Sequence, residues 1–134
     1  MRAHFGEAME AEELWKLPVP STSLLGTGVA FEKRLGREIA LRYEIEGESG
    51  EPVAEALVFE GVEAFKCTYG QACAEWMLSA YDRLVELPGS PWAQDLSVQL
   101  QRVSGAQPSL RHLMIYVDDG PCYEVICRSF RHEQ

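Results

Sequence analysis

Alternation between apolar and polar positions is the strongest pattern in this chain, and it predicts strands. Over residues 37–46 one parity is apolar and the other is mostly charged, which is the period of a half-buried strand. Residues 53–59 and 62–69 predict two further strands, and Gly61 between them predicts a bulge or a turn. A short edge strand is predicted over 14–17, because prolines follow it and proline is tolerated at sheet edges. The apolar residues of the first of these strands are Ile39, Leu41, Tyr43 and Ile45.

The last third of the chain predicts a β-hairpin over 110–130. Two apolar runs are joined by residues 118–121 (DDGP), and turn-forming residues between such runs are a strong hairpin signal. A two-residue loop would place Arg111 opposite Arg128, which opposes like charges. A three-residue loop over 119–121 leaves one unbroken apolar face, so we predict the longer loop. The pairs that it predicts are Leu113 with Cys127, Ile115 with Val125 and Val117 with Tyr123.

One main amphipathic helix is predicted over 71–84. Its apolar residues recur at intervals of three and four, which places them on one helical stripe. Ser90 and Pro91 form a second helix start, but 96–100 alternates, so this helix is expected to last one or two turns. The predicted fold class is α+β, with a mostly antiparallel β-sheet packed against the main helix in a single domain over 1–134. Residues 1–12 are expected to form a short helix or a flexible N-terminal segment.

The charge balance narrows the classes of partner. Lys and Arg number 12 against 21 Asp and Glu, which gives a net charge of -9. Nucleic-acid backbones and anionic lipid surfaces repel such a chain, so we expect neither a nucleic acid nor a membrane as partner. The nearest basic patch is Lys33, Arg34 and Arg37, and it lacks interleaved aromatic residues that stack bases. A basic protein partner fits the acidic surface.

The location predicted from the sequence is the cytoplasm. No stretch approaches the roughly 20 apolar residues that span a bilayer, and the acidic N-terminus lacks the apolar segment of a signal peptide. The four cysteines are therefore expected to be reduced thiols. Their spacing is not the Cys-x-x-Cys of a zinc or redox site, so small buried side chains are the preferred interpretation. They are Cys67, Cys73, Cys122 and Cys127.

Other candidate chemistry is sparse. Asp118 and Asp119 could bind a divalent cation, but the sequence lacks the spaced oxygen ligands that such a site needs, so turn-forming aspartates are preferred. His112 and Cys127 suggest a nucleophile pair, but the predicted register places them on opposite faces of the sheet. His4 and His132 lie near the termini and form no ligand set. We therefore predict no catalytic set, no metal site and no cofactor.

Three segments resemble a group of bacterial proteins. These are 81–87 (YDRLVEL), 90–92 (SPW) and the hairpin 115–126 (IYVDDGPCYEVI). Together they resemble small uncharacterised bacterial single-domain proteins, some of which are similar to immunity-type proteins encoded beside secreted toxins. The resemblance covers about residues 57–130. It implies a protein that acts by contact rather than by chemistry, and it implies no catalytic residue.

The function predicted from the sequence is that of a non-enzymatic protein-binding domain, immunity- or inhibitor-like, with an acidic contact face. The alternative is a small ligand-binding domain or enzyme with a pocket between the helix and the sheet. A third option is a homodimer formed through exposed strand edges. The acidic face consists of Glu44, Glu46, Glu48, Glu51, Glu55, Glu60 and Glu63. The predicted binding residues are Trp15, which lies beside prolines on an edge, together with Glu44, Glu46, His112, Tyr116 and Glu124.

Overall fold

Two antiparallel sheets form the protein in the computed structural model, which describes residues 10–26, 28–106, 108–118 and 121–134. The strands are β1 (Glu12–Lys16), β2 (Ala30–Arg34), β3 (Glu38–Glu46), β4 (Pro52–Glu60), β5 (Ala64–Thr68), β6 (Arg83–Glu86), β7 (Arg111–Tyr116), β8 (Cys122–Cys127) and β9 (Ser129–Glu133). The helix α1 covers Pro91–Ser104, and short 3-10 helices cover Ser21–Ser23, Gly70–Ala72 and Glu75–Ala80. The α+β fold with mostly antiparallel sheet is confirmed.

The sheets pack face to face. The five-stranded sheet has the order β1-β6-β7-β8-β5, and the four-stranded sheet has the order β2-β3-β4-β9. Alternation along β3 and β4 points one row of apolar side chains at the matching row of β7 and β8, which forms the main core. Burying each of these side chains stabilises the fold by roughly 1.5–3 kcal/mol. The row includes Leu41, Leu57, Phe59, Leu113, Ile115 and Val125.

Two of the points at which the chain passes from one sheet to the other are neighbours. Gly61, with φ of +64°, connects β4 to β5 and is therefore a turn between sheets. Arg128 connects β8 to β9, and its N–H donates to the carbonyl of Glu60 at 2.9 Å. A Cβ added at Gly61 would lie 2.8 Å from Cδ of Arg128, so any other residue here would require the Arg128 side chain to shift, in addition to the strain of a positive φ.

The predicted hairpin is confirmed, but its register differs. β7 pairs with β8 through Arg111 opposite Cys127 and Leu113 opposite Val125, two positions from the predicted pairing of Leu113 with Cys127. The hairpin closes at Val117, whose N–H donates to the carbonyl of Pro121 at 3.5 Å. Pro121 joins the pairing through its carbonyl alone, so its missing N–H is no obstacle. It therefore lies directly before β8 and not in the loop. A shift of two preserves every side chain's face. Positions 119 and 120 of the predicted loop lie outside the described residues.

The predicted position of the main helix, 71–84, is wrong. Two 3-10 helices and strand β6 occupy this range. The 3-10 helix ends at Ala80, Tyr81 is already extended, and Asp82 follows in a left-handed conformation with φ of +59°. β6 then pairs with β1 and β7. The ladder bonds that β6 makes on both sides outweigh the helical pattern, and Met77 and Ala80 are buried from the 3-10 segment instead.

The main helix is α1, which starts where a short helix was expected. The Ser90 hydroxyl accepts a hydrogen bond from the Ala93 N–H at 3.1 Å, Pro91 occupies the first turn, and Gly105 ends the helix with φ of +75°. Its buried side chain, Ala93, lies in the first turn, and residues 101–106 are exposed. Alternation over 96–100 therefore does not make a strand, because these residues lie on a helix that leaves the sheet after its first turns.

The predicted N-terminal edge strand is confirmed, two residues earlier at its start than the predicted range 14–17. β1 is an edge strand of the five-stranded sheet, with an irregularity in its pairing between Glu13 and Trp15. Of the segment expected to be flexible, positions 1–9 lie outside the described residues, and Glu12 begins β1. Within the described part of the chain, no helix has the length and apolar character needed to cross a bilayer.

Candidate functional site

A buried chain of polar side chains joins helix α1 to the outer face of the five-stranded sheet. Oγ of Ser90 lies 2.8 Å from Nδ1 of His112, and Nε2 of His112 lies 2.8 Å from Oε1 of Glu124. All three residues are buried. The predicted binding residues His112 and Glu124 therefore meet, and Ser90 joins them as a partner that the sequence analysis treated only as a helix start.

The arrangement resembles a catalytic triad in composition but not in geometry. In a Ser–His–acid triad, one ring nitrogen activates a hydroxyl that substrate can reach. Here the Ser90 hydroxyl caps α1 and contacts Nδ1 of His112, the opposite ring nitrogen from the one used in such a triad, and Ser90 is buried. The second carboxylate oxygen of Glu124 is buried and has no hydrogen-bond partner among the described residues. The geometry is that of a structural network that fixes the start of α1.

Trp92 covers this network. Its ring contacts the His112 ring edge-on at 5.2 Å between centroids, and Nζ of Lys66 lies 4.5 Å from the centre of the Trp92 ring. Lys66 is the cross-strand neighbour of Glu124. The aromatic ring thus lies against the buried histidine while its own face receives a cation, which stabilises Trp92 in this position.

A groove of about 470 Å³ lies beside the network, between α1 and β7. Gln94, Ser97 and Gln101 of the helix face Arg111 across it. Arg111 donates to Glu86 at 2.8 Å, and this hydrogen bond raises the pKa of Arg111. A groove between helix and sheet was part of the alternative prediction, but the helix is a different one. Of the polar residues predicted for it, His112 lines the groove together with Ser90, whereas Glu124 is not among its described lining residues.

The thiols lie apart from His112. Cys127 points into the main core, on the face opposite His112, as the predicted faces require. Burial raises the pKa of Cys127 to about 12 and also raises the pKa of Cys122. Cys67 is exposed at its edge strand, and desolvation raises its pKa as well. These thiols remain protonated at neutral pH, which makes them poor nucleophiles.

A second concave surface lies on the outer face of the same sheet, and we call it the tyrosine groove. It has a volume of about 690 Å³. The exposed fractions are 70% for Tyr69, 55% for Leu78 and 41% for Tyr81. Tyr81 contacts Tyr116 edge-on, with 6.1 Å between ring centroids, and its hydroxyl donates to Oδ1 of Asp118 at 2.9 Å. The described lining residues are Tyr69, Gly70, Gln71, Ala72, Leu78, Tyr81, Tyr116 and Asp118.

The irregular backbone over 69–82 positions the tyrosine groove. Asp82 anchors its end, because its N–H donates to the carbonyl of Tyr116 at 2.8 Å and its carboxylate accepts from the Ser21 N–H at 3.0 Å. Beneath the segment, Met77 and Ala80 pack on the sheet. Tyr116 was predicted as a binding residue. Tyr69 and Leu78 were not, although both are exposed beside it.

Trp15 does not lie on a free contact surface. Its half-buried ring packs against His132 at 5.2 Å and Tyr43 at 6.4 Å between centroids. The Tyr43 hydroxyl donates to Glu55 at 2.8 Å, and burial, followed by this hydrogen bond, raises the pKa of Tyr43. The structure thus gives His132 partners, which its place near the C-terminus did not suggest. His4 lies outside the described residues.

The predicted acidic face does not form as one surface. Glu44 and Glu46 are exposed on β3, whereas Glu55 is buried against Tyr43. Glu60 contacts Arg131, and Glu63 contacts Arg37. Strand alternation sends residues of opposite parity to opposite faces, so a run of glutamates along β3 and β4 is divided between the core side and solvent.

Comparisons with known proteins give no relative: no family model, curated protein or solved structure matches this chain. Within the described ranges, no group of three or more His, Cys, Asp or Glu side chains is placed to hold a metal ion. The candidate sites therefore rest on the geometry given above.

Proposed function

We propose that this chain is a non-enzymatic protein-binding domain that takes a basic segment of its partner into the tyrosine groove. The observation that carries the proposal is the exposure of Tyr69, Leu78 and Tyr81 around one concavity. Apolar side chains of this size gain by leaving water, and nothing in the described chain covers them.

Tyrosine suits a contact surface for a physical reason. Its ring provides a large rigid area with few rotatable bonds, and its hydroxyl pairs with polar groups of a partner. Aromatic residues are enriched where interfaces bind most strongly. The hydrogen bond from Tyr81 to Asp118 holds one of these rings in place before a partner arrives, which lowers the entropy cost of binding.

Charge selects a basic segment as the occupant. Asp118 is the charged side chain among the described residues that line the groove, and the chain as a whole carries a charge of -9. A lysine or arginine entering the groove meets this carboxylate and the faces of the tyrosines, both of which attract cations. Inhibition of a basic partner protein, which the resemblance to immunity-type proteins implies, is the use that we propose for this surface.

An enzymatic function has less support than protein binding. Ser90 caps a helix, and Glu124 contacts the opposite ring nitrogen of a buried histidine. The cysteines Cys122 and Cys127 have raised pKa values. These groups support the fold rather than a reaction, which is consistent with a protein that acts by contact, and we place it in the cytoplasm.

Peptide display tests the proposal. A random peptide library is selected on the purified protein, and each enriched peptide is measured against the double variant Y69A/L78A. A second double variant, V98A/V103A, removes exposed apolar area from α1 and is the matched control. We expect enriched peptides to combine Lys or Arg with an apolar residue and to bind Y69A/L78A about tenfold or more weakly, the effect of losing about 1.4 kcal/mol or more.

Two outcomes would count against the proposal. One is enrichment of acidic peptides, and the other is equal binding to Y69A/L78A and the unaltered protein. The variant Asp118→Asn keeps an acceptor for Tyr81 and removes the charge, so it should weaken basic peptides and reduce the salt dependence of their binding. A dimer detected by light scattering and lost in Y69A/L78A would make a second copy the occupant instead of a basic partner.

The groove beside α1 supports a second candidate function, the binding of a small polar molecule. Gln94, Ser97 and Gln101 present amide and hydroxyl groups toward Arg111 within about 470 Å³, a size typical of small-molecule sites. A thermal-shift screen of amino acids and small carboxylic acids tests it. A stabilising compound should lose its effect in Gln94→Leu and retain it in Y69A/L78A. The absence of any such compound would remove this candidate.

A further inference from the structure

We propose that the cleft between β2 and β5 is a binding site for an oxyanion, a carboxylate or a phosphate, carried on an apolar or aromatic group. The cleft has a volume of about 430 Å³. Lys33 and Arg37 lie on one wall, and Phe65 lies on the other. We call it the cationic cleft. It is on a different part of the molecule from the tyrosine groove, and the two proposals stand independently.

The local charge in the cationic cleft is positive although the whole chain is acidic. Its described charged lining residues are Lys33, Arg34 and Arg37 against Glu38 and Glu63, and Arg128 lies beside this lining, next to Glu63. Arg37 and Arg128 both pair with the same carboxylate, that of Glu63. The exposed fractions of the side chains are 63% for Arg37 and 49% for Arg128, against 11% for Glu63. An anion approaching from solvent therefore meets two guanidinium groups before it meets the carboxylate behind them, and Lys33 adds a further cation.

Other arginines are neutralised differently. Arg42 pairs with Glu32 alone at 3.2 Å. Arg131 and Arg34 together contact three carboxylates, since Arg131 pairs with Glu38, Glu60 and Glu133 and Arg34 pairs with Glu133. At Glu63 the ratio of arginines to carboxylates is reversed, because two arginines pair with one carboxylate. Guanidinium groups bind carboxylate and phosphate through paired hydrogen bonds, so the unused donors of Arg37 and Arg128 match an oxyanion.

Arg37 is also held in a strained backbone conformation. Its φ of +61° lies in the left-handed region that favours glycine. Its carbonyl accepts from the Val62 N–H at 2.9 Å, and its Nε donates back to the Val62 carbonyl at 3.4 Å. Glycine at this position would adopt the same φ without strain. Strained residues of this kind concentrate at binding sites, and here the strain places a guanidinium at the mouth of the cleft.

An apolar wall lies opposite the charged residues of the cationic cleft. Phe65 is 44% exposed and contacts Phe31 edge-on at 5.3 Å between centroids. Phe31 in turn stacks on Tyr123 at 4.8 Å, which fixes the wall to the core. A ligand that joins an oxyanion to an aromatic or apolar group would use both features, whereas a bare anion would use the cations alone.

NMR titration of the ¹⁵N-labelled protein tests this site with inorganic phosphate, phenyl phosphate and phenylacetate as probes. We expect saturable shifts at the backbone amides of residues 33–38 and 62–65 with the phenyl anions, and weaker binding of inorganic phosphate. Comparison of phenyl phosphate with phenylacetate tells which oxyanion is preferred. Phe65→Ala should reduce the affinity for the phenyl anions to about that for the bare anion of the same charge.

The variants separate a binding role of Arg37 from a structural one. Arg37→Gly should weaken the phenyl anions about tenfold, the effect of losing one charge-assisted hydrogen bond, while the midpoint of thermal unfolding does not fall, because the left-handed strain is relieved. Arg37→Asn tolerates the same backbone and should behave alike. Glu63→Gln should tighten binding, because it frees both arginines. Arg42→Gln removes an arginine of similar exposure and should change the affinity less than twofold.

Three results would overturn the proposal. The first is no saturable shift at these amides with either phenyl anion. The second is equal weakening by Arg42→Gln and Arg37→Gly, which would indicate a general charge effect. The third is a fall in thermal stability in Arg37→Gly with unchanged anion affinity, which would make Arg37 a structural residue only.

Discussion

The hydroxyl of Ser90 lies 2.8 Å from Nδ1 of His112, and this contact joins the first turn of α1 to the middle of the five-stranded sheet. The same hydroxyl accepts from the Ala93 N–H at 3.1 Å. If Ser90 donates to Nδ1, the hydrogen of the neutral ring is on Nε2, which then donates to Glu124. One hydroxyl thus contacts both the helix start and the histidine ring.

Replacing Ser90 by alanine should destabilise the protein by about 2 kcal/mol. About half of this is the loss of the helix cap, and about half is the loss of a buried hydrogen bond. Urea unfolding followed by circular dichroism measures the change. Ser97→Ala, on the same helix and half-buried, should alter stability by less than about 0.5 kcal/mol. Equal effects of the two substitutions would contradict the network described here.

Removing the histidine alone should cost more than removing the histidine and the glutamate together. His112→Ala leaves the carboxylate of Glu124 buried with neither oxygen paired, which should cost about 3–5 kcal/mol. The double variant H112L/E124L replaces the pair by apolar side chains and should recover most of this loss. A double-mutant cycle in urea measures the coupling. Additive effects of the single and double changes would show that the two side chains are energetically independent.

Gly61→Ala should destabilise the protein more than Gly89→Ala. Both glycines have positive φ, +64° and +70°, so both substitutions carry the left-handed cost of about 1–2 kcal/mol. A Cβ at Gly61 also meets Arg128 at 2.8 Å, whereas at Gly89 it meets nothing within 4 Å. The difference in unfolding free energy therefore measures the contact between the two crossings. It should largely disappear when Gly61→Ala is made together with Arg128→Ala.

Stability should fall as pH rises from about 9 to about 12. Burial raises the folded-state pKa of Cys127 from 9.0 to about 12 and that of Tyr123 from 10.0 to about 12. Because the folded-state pKa values are raised, their contribution is fully present below the unfolded values and is lost as pH rises through the folded ones. Urea unfolding between pH 8 and 11, with a reductant, measures this. Tyr123→Phe should flatten the decline above pH 10, and an unchanged slope would refute the assignment to Tyr123.

Thiol labelling should distinguish the exposed Cys67 from the two buried cysteines, with the half-buried Cys73 reacting at an intermediate rate. Cys67 is exposed and should react first with a disulfide reagent, although more slowly than a free thiol because its pKa is raised. Cys122 and Cys127 are fully buried and should react only on unfolding. Cys67→Ser should remove the fast phase. Rapid labelling of Cys127 in the native protein would show that the core opens more readily than its packing implies.

The strands could be predicted from the sequence because their signal is local. Alternation along β3 and in the two strands of the hairpin reflects one buried and one exposed face. This alternation can be recognised from adjacent residues in the sequence alone. The same alternation places His112 and Glu124 on one face of the hairpin, so their proximity could be predicted. The hairpin register was two positions off, because the pattern repeats every two residues and cannot distinguish registers of the same parity.

The helices were assigned less well because competing structures satisfy the same pattern. Apolar spacing over 71–84 fits a helix, yet Leu84 and Val85 are buried in β6, between two neighbouring strands. Over 91–104 the capping residues indicated a helix, while local alternation suggested that it would be short. In both places the secondary structure is decided by the free energy of pairing or packing with residues that are distant in the chain. A local pattern carries no information about those residues.

Taken alone, the sequence determined that the chain folds as alternating strands with a mostly antiparallel sheet and an acidic overall charge, because these are sums over local positions. Only the tertiary structure decided which surfaces are available for binding. The tyrosine groove joins Tyr69, Tyr81 and Tyr116, and the cationic cleft joins Arg37 to Phe65. These residues are far apart in the chain, and strand pairing and sheet packing bring them together.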